Sequence, residues 1–120
     1  MSNSTVQFTV SLAIHAGKLD AFEAIALTMS ARTEQEPGAL AYEFFLSPDR
    51  TQCRLVEKYT DAAAVLTHMT GPVVQEFVPK ILEVSSLTSF EVYGDPGVEA
   101  GKILAAVGAR IYARWRGFSR

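Results

Sequence analysis

Residues 37–77 read PGALAYEFFLSPDRTQCRLVEKYTDAAAVLTHMTGPVVQEF, and their pattern decides the fold. Over 39–46, Leu40, Tyr42, Phe44 and Leu46 alternate with Ala41, Glu43 and Phe45, the period-two signature of a strand with two different faces. Over 52–60, Cys53, Leu55, Glu57 and Tyr59 alternate with Arg54, Val56 and Lys58. The connection Ser47-Pro48-Asp49-Arg50-Thr51 carries a proline that presets one dihedral and an aspartate able to bond the backbone ahead. So short a link makes an antiparallel hairpin. Setting Ser47 opposite Gln52 puts Tyr42 across from Glu57 and Phe44 across from Leu55, which joins the two more apolar faces. Asp61 is placed to cap a helix over 62–69. Gly71-Pro72 breaks that helix and opens a second, with Val73, Val74, Phe77, Val78, Ile81 and Leu82 on its apolar side. Pro79 inside the second helix predicts a kink or a shortened first segment.

Working outward, residues 6–14 form a strand: Val6, Phe8, Val10, Leu12 and Ile14 point one way and Gln7, Thr9, Ser11 and Ala13 the other. His15-Ala16-Gly17 ends it, and His15 reads as a loop residue facing water. Leu19, Phe22, Ile25, Ala26 and Met29 make one stripe of a helix over 18–36, stopped by Pro37-Gly38. On the other side, 86–93 reads as a fourth strand with Leu87, Ser89, Glu91 and Tyr93 on one face. Residues 98–107 have helical character, Gly108 ends them, and 109–115 form an extended arm. The order strand, helix, strand, strand, helix, strand is that of an α+β, ferredoxin-like antiparallel sheet covered by helices on one face. A C-terminal helix and arm complete it. Residues 1–95 are the main domain, and 96–120 belong to it or to a dimer interface. The bare face mixes Phe45 and Val56 with Glu43, Arg54 and Lys58; a second copy of the chain is its natural cover, which predicts a homodimer.

At 120 residues the chain holds one hydrophobic core. A net charge of -2 offers no global basic field for nucleic acid, although Arg110, Arg114, Arg116 and Arg120 crowd an acid-free tail beside Trp115. That tail reads as a dimer clasp rather than a nucleic-acid arm. A lone cysteine, Cys53, excludes an internal disulfide and fits a reducing compartment. The N-terminus lacks a secretion signal and no apolar run reaches membrane-spanning length. The chain therefore reads as soluble and cytoplasmic, with no membrane partner.

There is no Gly-rich phosphate loop and no nucleophile elbow, and two histidines with one cysteine give no metal-ligand spacing. His68 remains as a candidate. By residue type and position it also fits a helix-end histidine bonded to a last-turn carbonyl. Tyr42 and Tyr59 fit strand aromatics with hydroxyls at the core's edge. Glu57 shares a covered face with Leu55 and Tyr59, so it must find donors or hold its proton more tightly. Its alternatives are a structural hydrogen bond or a general base or orienting group.

Pro37-Gly38-Ala39-Leu40-x-Tyr42, then Glu57-x-Tyr59-x-Asp61-x-x-Ala64-x-x-x-His68, then Pro72-x-Val74-x-x-Phe77, resembles the antibiotic biosynthesis monooxygenase domain family. The resemblance spans about 6–93. It implies a dimeric α+β barrel and, in characterised members, cofactor-independent oxygenation of a small aromatic, quinol or polyketide-like substrate, with no cofactor and no metal. It places His68, Glu57 and Tyr42 in catalytic positions. His68 would accept or relay a phenolic proton that Tyr42, Glu57 and Tyr59 orient, while Phe8, Phe44 and Phe77 line an apolar pocket. Two departures matter. Val73 stands where many members carry a second histidine, and the tryptophan of haem-degrading members has no match, Trp115 being in the tail. The alternative is a non-catalytic dimeric module, stress-related or binding a small ligand.

Overall fold

The computed structural model describes residues 3–120. Met1 and Ser2, where the stretch read for a secretion signal begins, lie outside them. The described residues form β1 (Val6–Ile14), α1 (Leu19–Thr33), β2 (Ala39–Leu46), β3 (Gln52–Tyr59), α2 (Ala62–Thr70), α3 (Pro72–Val84), β4 (Ser85–Tyr93), α4 (Val98–Ala106) and β5 (Arg110–Tyr112). The sheet runs β2-β3-β1-β4-β5. Its first four strands are antiparallel neighbours in ferredoxin-like order, and β5 joins β4 in parallel, so the expected antiparallel sheet is mixed. None of the described helices is long and apolar enough to cross a membrane.

The hairpin register is the one its pattern dictates: Tyr42 pairs with Glu57, Phe44 with Leu55, and the Ser47 amide donates to the Gln52 carbonyl at 2.9 Å. Asp49 organises the turn, accepting from the Thr51 amide at 3.1 Å and from the Ser47 hydroxyl at 2.7 Å. The helices cover the face that carries Val6, Phe8, Val10 and Leu12 of β1 and Cys53, Leu55, Glu57 and Tyr59 of β3.

Three local expectations are corrected. α1 stops at Thr33 instead of running to 36. Its last residues tighten into i+3 bonds (Gln35 amide to Arg32, Glu36 amide to Thr33), since Pro37 disfavours helical geometry just before it. Pro79 does not shorten α3, which runs as one helix through it with Val73, Phe77, Ile81 and Val84 buried in the core. In β4 the pairing slips: Val10 faces Phe90 and Ser11 faces Ser89, but Leu12 faces Leu87. Thr88 is the extra residue of a β-bulge, so Leu87 turns to the helix-covered face with Phe90 and Val92 instead of joining Ser89, Glu91 and Tyr93.

The C-terminal helix joins the same core, with Leu104 and Ala100 fully buried. The arm beyond β5 turns back along the N-terminus, where the Arg114 guanidinium donates to the Thr5 carbonyl at 3.1 Å. Trp115 and Phe118 remain over four-fifths exposed.

Candidate functional site

Two polar groups on facing elements meet beneath the helices. Glu57 sits on β3 between Leu55 and Tyr59, where strand alternation points it away from water. His68 sits on the last turn of α2. That helix starts at Asp61, whose backbone is extended and whose side chain accepts the Ala64 amide at 2.9 Å. It ends where the Gly71 amide bonds the His68 carbonyl at 3.1 Å. Both side chains are buried, His68 at 3% exposure and Glu57 at 6%.

The imidazole stands between two carboxylates. Its Nε2 lies 3.5 Å from Glu57 Oε1, and its Nδ1 lies 3.1 Å from both oxygens of Glu36. Glu36 comes from the turn after α1. Gly38 makes that approach possible: a Cβ there would overlap the Ala64 methyl group one turn before His68, so only glycine lets the turn settle on α2. The Tyr59 hydroxyl donates to Glu57 Oε1 at 2.5 Å, and its ring packs 5.1 Å from the imidazole; the Tyr42 ring is 5.8 Å away.

Burial dominates the electrostatics. It pushes the Glu57 carboxyl above the usual carboxylate range, opposed by the imidazole and the Tyr59 hydrogen bond and assisted by the Glu36 charge. Burial first, and the Glu57 charge second, raise the Tyr42 and Tyr59 hydroxyls far above the ordinary tyrosine value, so both remain neutral donors.

Glu57, His68 and Tyr42 share one wall of a cavity of about 150 Å³. The rest of its lining is apolar: Phe8, Val10, Leu12 and Leu55 from the sheet, Met29 from α1, Met69 from α2, Val74, Val78, Ile81 and Leu82 from α3, Leu87 and Phe90 from β4, and Val107 after α4. Of the aromatic residues the sequence pointed to as lining, Phe8 is there. Tyr59 lies behind the wall, holding Glu57. Phe44 packs against Phe22 and Tyr42 beside a separate outer cleft, and Phe77 packs beneath Arg32 and Lys80. Glu36, Leu87 and Val107 also reach the site, which residue pattern alone does not indicate. The one usable signal for Glu36 was the Glu-Pro-Gly sequence, which marks a turn but not the helix that turn meets.

This fold, with a buried glutamate–histidine pair set in an apolar pocket, defines a class of small ferredoxin-like α+β proteins with a pocket between sheet and helices. The family model of the antibiotic biosynthesis monooxygenases matches residues 5–80, and the chain belongs to that family. Among solved structures it is similar to MupZ from Pseudomonas fluorescens, with 27% identity, a TM-score of 0.83, and coverage of 98% of this chain and 96% of that one. So complete a match takes in the C-terminal helix and arm. It also shares the fold of SnoaB from Streptomyces nogalater, described as a cofactor-independent oxygenase, at 16% identity, a TM-score of 0.69, and coverage of 79% and 96%. No curated protein matches the sequence.

Proposed function

We propose that this chain is a cofactor-independent monooxygenase of a small aromatic, quinol or polyketide-like substrate. The observation that carries the reading is the Glu57–His68 pair, 3.5 Å apart in the wall of an otherwise apolar pocket. SnoaB, a fold relative, is described as an oxygenase of this kind.

The pair removes a proton from an electron-rich phenol or anthrone, and the resulting anion donates electrons to dioxygen. A carbon–oxygen bond forms to give a peroxide. Its O–O bond then breaks as the second C–H proton is lost. A CH2 group becomes a carbonyl and the other oxygen leaves as water, so the substrate supplies every electron. The neutral Tyr42 hydroxyl at the pocket wall orients the substrate oxygen, and Tyr59 holds Glu57 in place. The apolar lining keeps the anion away from bulk water, where charge interactions would weaken.

Oxygen uptake by the metal-free protein with a panel of quinols and anthrones tests this. Uptake should fall by about 10²-fold or more in His68→Ala. No uptake from the folded wild type would sink the reading in favour of a ligand-binding module. The reading includes a homodimer on the open sheet face, where Phe45 is half exposed near Arg54. Light scattering checks it, a monomer being the adverse result.

A further inference from the structure

His68 separates two spaces. On one side is the apolar pocket, which Glu57 and His68 line. On the other is an outer cleft between the end of α1 and the α2–α3 junction, lined by Arg32, Glu36, Thr67 and Pro72. A carboxylate faces each ring nitrogen, Glu57 on the pocket side and Glu36 on the outer side. The Glu57 side chain is 6% exposed and the Glu36 side chain 21%. The other groups near this line are Tyr59 and Tyr42, both neutral, and Arg32, which pairs with Glu76 at 3.4 Å.

We propose that His68 is a proton relay through the pocket wall, with Glu36 as its solvent-side terminus. Glu36 does not touch the pocket; it acts through the imidazole. A carboxylate at that position takes hydrogen from Nδ1, which fixes the tautomer with Nε2 open toward Glu57. A proton entering from the pocket bonds to Nε2, the Nδ1–H bond breaks toward a Glu36 oxygen, and Glu36 passes the proton to water in the outer cleft. The ring is left with hydrogen on Nε2.

The relay rests on the acid–base role proposed above, and the proposed oxygenation resets it. When the peroxide O–O bond breaks, Nε2–H supplies a proton to the departing oxygen and Glu36 returns one to Nδ1. No proton is gained or lost over the cycle.

The test uses the ligand-free full chain, so it does not depend on turnover. Exchange of the His68 ring N–H with water is followed by NMR on 15N-histidine-labelled protein, in wild type, Glu36→Gln and Glu36→Asp. Glutamine keeps the size and an acceptor but cannot carry a proton. Exchange should slow about tenfold or more in Glu36→Gln and recover in part in Glu36→Asp. Equal or faster exchange in folded Glu36→Gln would overturn the relay, because a merely structural Glu36 leaves the ring equally shielded or looser. Slowed exchange in a protein that takes up no oxygen with any substrate would keep the relay and remove the oxygenase reading.

Discussion

The same tripeptide pattern occurs on two strands with two outcomes. Glu57-Lys58-Tyr59 on β3 and Glu91-Val92-Tyr93 on β4 each place a tyrosine two residues after a glutamate, on the same strand face. In each, the hydroxyl donates to glutamate Oε1 at 2.5 Å. The first pair is buried under α2, with Tyr59 at 0% exposure; the second lies on the open face, where Tyr93 is 37% exposed and stacks 5.8 Å from Tyr112. Local sequence and local geometry are thus nearly identical. What makes one pair a candidate acid–base site is the helix above it, which removes water and brings a histidine.

That comparison can be broken by experiment. The largest difference is expected in turnover: Glu57→Gln should lower oxygen uptake about 10²-fold or more, and Glu91→Gln should leave it unchanged. Equal losses would mean that the buried pair has no special role. Next comes stability. Tyr59→Phe removes the hydroxyl donor of a buried carboxylate and should cost about 1–3 kcal/mol in denaturant unfolding. Tyr93→Phe should stay within about 0.5 kcal/mol, its glutamate being free to bond water. Similar values for both would show that burial contributes nothing to the first pair.

Last comes pH. Burial raises Glu57 above its ordinary value of 4.5, so the folded chain binds that proton more tightly than the unfolded one. The stability this proton contributes is complete below the unfolded value and is lost as pH rises through the folded one, at about 1.4 kcal/mol per pH unit at most. Unfolding curves of wild type and Glu57→Gln should therefore diverge above pH 4.5, with wild type losing ground. Parallel curves would refute the burial effect, and the same scan on Glu91→Gln supplies the exposed counterpart.

Much of this was legible in the chain. The 39–59 alternation gave the hairpin with its register, Asp61 and Gly71-Pro72 bounded α2, and Glu57 stood out as a carboxylate on a covered face; His68 also fitted an ordinary helix end, and it was the family resemblance that gave it a role. These are local properties: a strand's period fixes its faces, and a cap or a proline acts on its own backbone. Other features were not local. Thr88 inserts a bulge only because β4 must follow β1, and that moves Leu87 into the pocket lining. Phe44 and Phe77 carry the right chemistry for a pocket, but their elements turn them toward other neighbours. Glu36 lies 32 residues before His68, and only the seating of Gly38 on Ala64 joins them. The sequence by itself determined which strands and helices form and which face of each is apolar, because those follow from spacing along one chain. The tertiary structure decided which of two matching glutamate–tyrosine pairs is sealed from water and which carboxylates reach the histidine, because burial and proximity depend on how separate elements dock.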